Sequence, residues 1–211
     1  MKKITFCCLS FLLIILQATA QTKYESGMEK AFGLWQNEQT TEAANLFERI
    51  AVAEKNKWIP YYYAAQIKIV ESFDMADPVK KEQQLVQAQS LLDAARANAA
   101  RNNVELMVLQ ALLHTAYITL EPSVYGMKLS PVISNIYEEA AKIAPDNPRV
   151  VLSKAEWNMG AAKFFGKDPG EYCDDLKSSL KLFSDFTPEE KFWPEWGEDR
   201  AKQLIKANCG E

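Results

Sequence analysis

The sequence predicts an all-α fold, an α-solenoid of about four helix pairs closed by a C-terminal capping helix. Three observations carry this reading. The nine prolines fall between apolar-periodic segments rather than inside them. No run of alternating β-branched residues competes for strand. Four of the apolar segments repeat one triad at offsets 0, +4 and +7: Ala43/Phe47/Ile50, Ala88/Leu92/Ala95, Ile133/Tyr137/Ala140 and Leu176/Leu180/Phe183. Successive triads are 45, 45 and 43 residues apart, and each follows a segment with a small residue at its centre: Ala31, Ala65, Ala111 or Ala155. A small residue on the first helix lets the second approach closely, and a fixed period means that the pair is a stacking unit.

The elements follow in chain order. Residues 1–20 read as a secretory signal: Lys2 and Lys3 supply the charged start, Ile4 to Leu16 the apolar stretch, and Ala18-Thr19-Ala20 a small-x-small cleavage site before Gln21. The apolar run is shorter than the roughly 20 residues of a spanning helix, which predicts an exported chain with no stable membrane insertion after cleavage. Residues 21–211 then form a single helical domain. Helices are expected over 22–37, 41–55, 58–74, 78–101, 103–120, 131–144, 148–164, 169–184 and 194–208. Asp77-Pro78, Ser130-Pro131, Asn147-Pro148, Asp168-Pro169 and Thr187-Pro188 each set a capping side chain before a proline at the first helical position. Glu171 and Glu190 complete capping boxes with Asp168 and Thr187. The last helix covers the final repeat with Trp196, Ala201, Leu204 and Ile205.

Composition narrows the function. Of 211 residues, 48% are apolar and 25% charged, a globular balance. Without residues 1–20 the chain holds 22 basic against 28 acidic residues, which argues against nucleic acid as the partner. One histidine excludes multi-histidine metal sites. That residue, His114, lies on the apolar face of ALLHTAY and reads as a core group rather than a catalytic base. The run from Gly160 to Lys167 has five residues between its glycines, and Asp168 stands where a phosphate loop needs Ser or Thr. Asp168, Glu171, Asp174 and Asp175 lack the spacing of a calcium loop. The expectation is a chain without catalysis, cofactor or metal. Cys173 and Cys209 remain after signal removal, and in an oxidising compartment they either pair or stay as two separate thiols.

The repeat resembles the tetratricopeptide (TPR) pattern. Ala31, Ala43, Phe47 and Ile50 match its small, small, aromatic and apolar positions with the usual spacing of 12, and Ile133, Tyr137, Ala140 and Pro145 match the second-helix half. In the later repeats the small-to-small spacing is 23, 22 and 21 residues, which predicts loops longer by about ten residues within each pair. The resemblance implies a right-handed TPR-like solenoid whose first helices line a concave face. Met28, Phe32 and Trp35, then Tyr62, Gln66 and Ile69, then Val108, Leu112 and Thr115, then Arg149, Glu156 and Met159 would face that groove. Of these, Met28, Phe32, Trp35, Tyr62, Gln66, Arg149, Glu156 and Met159 are the candidate partner-binding residues. They either meet a ligand or are covered by the long loops and neighbouring repeats. The paired lysines and asparagines of a carboxylate clamp are absent from these positions. The function expected is a periplasmic or secreted scaffold holding a protein or peptide partner of the cell envelope on its concave face. The alternative is a periplasmic small-solute-binding or uptake-system accessory module.

Overall fold

The computed structural model describes residues 23–210. The signal-peptide expectation for 1–20 lies outside these residues. Among the described residues every regular element is helical and no strand occurs. Helix α1 runs over 23–36. It is followed by α2 (Thr40–Ala53), α3 (Ile59–Ser72), α4 (Pro78–Asn98), α5 (Val104–Leu120), α6 (Pro122–Ile143), α7 (Pro148–Phe164), a 3-10 turn (Pro169–Tyr172), α8 (Cys173–Asp185) and α9 (Glu198–Asn208). From α2 to α9 each helix packs on the next, while α3 also packs on α5 and α5 on α7. Short connections make such neighbours antiparallel. No described helix is long and apolar enough to cross a membrane.

The repeated positions form the core. Ala31, Ala65, Ala111 and Ala155 are all buried, as are the first three triads. In the fourth triad Leu176 is buried, while Leu180 and Phe183 are half-buried against it. Several helix starts follow the cap chemistry. Asp77 accepts from the backbone N–H of Val79 and Lys80, Asn147 from Arg149 and Val150, and Asp168 from Gly170. Asn103 caps α5 in the same way. Each such cap satisfies N–H groups that have no partner inside the helix.

Three expectations are corrected. Ser130-Pro131 does not start a helix, because α6 begins at Pro122 and carries Pro131 in its interior. The Ser130 hydroxyl donates backward to the Gly126 carbonyl at 2.7 Å instead of capping forward. The extra residues of the second and third repeats do not form long loops either. They lengthen α4 to 21 and α6 to 22 residues. In the fourth repeat the extra residues form the connection after α7 and the 3-10 turn. Finally, Thr187-Pro188 opens no helix, and residues 186–197 form an irregular strap between α8 and α9. Pro194 biases Trp193 away from helical backbone and could not donate to the Glu190 carbonyl.

Helix α9 therefore starts four residues later than expected. Gly197 precedes it with φ +118°, and a Cβ there would sit 2.6 Å from Phe183 Cζ. Only glycine fits that corner. It turns Trp196 off the helix and into the body of the fold.

Candidate functional site

The strap crosses the face on which the sequence placed the groove. Its first anchor is Phe186, whose ring centroid lies 4.3 Å from the Arg149 guanidinium carbon. Lys191 then bridges Glu25 and Glu29 of α1, at 2.8 Å each. Phe192 stacks on Phe32 and meets Tyr24 edge-on, with centroids 5.8 and 5.9 Å apart. Trp193 meets Trp58 edge-on at 5.1 Å. The Tyr63 hydroxyl donates to the carbonyls of Phe192 and Trp193 at 3.1 and 3.2 Å, and Trp196 Nε1 donates to the Tyr62 hydroxyl at 2.6 Å. Burial holds the Tyr62 phenol well above its ordinary pKa, so it stays protonated.

The candidate groove residues divide accordingly. Met28, Tyr62, Gln66, Arg149 and Met159 are buried, as are Ile69 and Val108. Phe32 and Trp35 are half-buried, each packed edge-on against Phe47 and Tyr63. Over Phe32, Tyr62 and Arg149 the cover comes from the chain's own C-terminal strap, while Met159 packs with Leu176 of α8 and Ala201 and Ile205 of α9. An open aromatic face of this size is costly in water, which is the physical reason to fill it. Arg149 is completely buried and its partner is Glu105, at 2.7 Å from Nε and 2.8 Å from Nη2. Asn147 donates to the same carboxylate at 2.8 Å. Arg149 Nη1 has no hydrogen-bond partner, and the Phe186 ring lies against that guanidinium.

Beyond the strap a cleft of about 390 Å³ opens between α5, α6, α7 and the start of α9. This lies within the roughly 300–1,000 Å³ range of small-ligand sites. Val108, Leu112 and Thr115 of α5 line it together with Tyr137 of α6. Ser153, Glu156, Trp157 and Gly160 present one face of α7, at the spacing of helical neighbours. Phe73, just past α3, and Trp196 of the strap complete the lining with Arg200. Trp157 Nε1 is satisfied by Ser134 Oγ at 3.0 Å. Burial, with a smaller contribution from Glu156, raises the Tyr137 pKa and keeps this phenol protonated. Arg200 of α9 and Glu156 form an ion pair within the lining.

Four groove positions from the sequence thus line the cleft: Val108, Leu112, Thr115 and Glu156. Trp157, Gly160, Ser153, Arg200 and Phe73 were missed. The first two carried a signal, since a tryptophan and a glycine three residues apart share a face of α7. Arg200 and Phe73 carried none, because they come from elements that only the tertiary fold brings together. Glu105 was also missed, although a buried arginine demands a buried carboxylate.

The lining residues hold no imidazole, thioether or thiol. His114 instead pairs with Gln110 at 3.2 Å, and burial lowers its pKa. No cluster of metal-binding side chains occurs among the described residues. The sulfurs of Cys173 and Cys209 lie 2.08 Å apart as a disulfide that ties the start of α8 to the end of α9.

No family model matches the chain. No curated protein matches it either. A solved structure does. The HusA haemophore from Porphyromonas gingivalis superposes with a TM-score of 0.75 at 22% sequence identity, covering 88% of this chain and 92% of that one. The two share a fold.

Proposed function

We propose that this chain is an exported, non-catalytic carrier of a planar amphiphilic ligand of the porphyrin class, haem included, held in the cleft between α5, α6 and α7. Its helices are read as a TPR-like right-handed solenoid, and its place as the periplasm or beyond. One observation carries the proposal: a cleft of ligand size walled by Trp157, Trp196 and Phe73, with one ion pair in its lining, on the fold of a haemophore. Aromatic side chains in the lining suit a conjugated ring, because offset stacking and apolar burial both favour it. The lining offers the ring more than it offers a metal. A peptide on the concave face is the weaker reading, since the strap already occupies the aromatic groove and a partner would have to displace it.

The test is a titration of the chain beginning at Gln21 with haemin and with iron-free protoporphyrin IX. Binding should shift the Soret band and quench tryptophan fluorescence through Trp157 and Trp196. Gly160→Phe supplies the control. A Cβ at Gly160 meets nothing within 4 Å, so the new ring can fill the cleft without a backbone clash. It should weaken binding by roughly tenfold or more, equivalent to about 1.4 kcal/mol. Stability should hold or rise, because a glycine inside a helix costs roughly 0.5–1 kcal/mol relative to alanine. Absence of a spectral change with either ligand would sink the proposal, and equal binding by Gly160→Phe would move the ligand elsewhere.

A further inference from the structure

We infer that Arg200 reads a carboxylate on the ligand and that Glu156 is the competitor built into the same site. The inference rests on the ligand reading above and adds a specificity to it. Among the lining residues Arg200 is the one cation and Glu156 the one anion. They come from helices 44 residues apart in sequence and meet within the cleft lining. Both contacts fall on a single oxygen, Glu156 Oε1, reached by Arg200 Nε at 3.0 Å and also by Nη2. A guanidinium matched to a carboxylate usually engages both oxygens side by side. Here the fork is only half used, and no other partner of Arg200 occurs among the described residues.

The surroundings favour recognition over structural support. The two side chains are 51% and 38% exposed, and exposed pairs contribute little to stability. The acidic neighbours of Arg200 in the first turn of α9, Glu198 and Asp199, are engaged by Lys202. They leave Glu156 as its carboxylate. A ligand whose ring lies against Trp157 and Trp196 can bring an acid at its edge to Arg200. That acid takes the unused donors or replaces Glu156 on the shared ones. Glu156 holds Arg200 in place until then, and it disfavours any ligand that lacks an acid to exchange.

The experiment compares mesoporphyrin IX with its dimethyl ester in one detergent-containing buffer, by fluorescence quenching, with thermal melting to show that each variant is folded. The acid should bind the original chain about tenfold more tightly than the ester, the scale of one charge-assisted hydrogen bond. Arg200→Gln should remove that preference, so that acid and ester bind the variant with equal affinity. Glu156→Gln should tighten acid binding severalfold. Equal affinity for acid and ester in the original chain would overturn the inference while leaving the carrier reading in place. So would variants that weaken both ligands alike, because the pair would then only shape the cleft. If neither porphyrin bound, the carrier reading itself would fail and the inference with it.

Discussion

Arg149→Met should cost about 3–5 kcal/mol of folding free energy, the range for stranding one member of a buried ion pair. Glu105 would remain fully buried, keeping only the Asn147 amide of the contacts that hold its carboxylate in place. A change of that size lowers Tm by on the order of 10 °C in a domain of this length. The double variant Glu105→Leu/Arg149→Met separates this cause from lost packing. With both charges gone, no buried ion is left unpaired, and well-packed apolar replacements are often neutral. The double variant should therefore melt above Arg149→Met. Urea titrations followed by circular dichroism read both. If the double variant were no more stable than the single, the loss would lie in the contact between Arg149 and Phe186 rather than in the charge.

Opening the disulfide should have an effect nearly as large. Cys173 and Cys209 are 36 residues apart, and closing a loop of that size stabilises by about 3–4 kcal/mol on the chain-entropy account. The loop encloses α8, the strap and α9, so the loss should concentrate at the C-terminal end. Cys173→Ser/Cys209→Ser should shift the urea midpoint downward and change tryptophan emission, because Trp193 and Trp196 sit inside the loop. Equal midpoints for the double variant and the oxidised chain would show that packing of α8 on α9 holds this end unaided.

Much of the scaffold was legible because it is local. The triads and the alanines that precede them follow from helical periodicity, and Asp77, Asn147 and Asp168 cap helices by contacts two or three residues away. Ser130-Pro131 misled because the same two residues fit a helix start and a helix interior equally well, and only the back-bond to Gly126 separates them. The cleft was half legible. Val108, Leu112, Thr115 and Glu156 follow from the register that the TPR resemblance implies, whereas Trp196 and Arg200 reach it only because Gly197 turns the chain at a corner. The strap was illegible for the same reason. Its aromatic residues suit a terminal helix as well as a groove, and nothing within a short window says which.

The strap also ties the fate of the chain's beginning to its end. Tyr63 and Tyr62 find their hydrogen-bond partners 129 to 134 residues downstream, and Glu29 and Glu25 meet Lys191 across 162 and 166. During synthesis the first three helices therefore emerge long before the residues that cover them. For that interval they present bare aromatic rings, the kind of surface that invites aggregation and chaperone capture. A premature stop codon after α8 would thus injure the amino-terminal third of the protein as much as the missing tail.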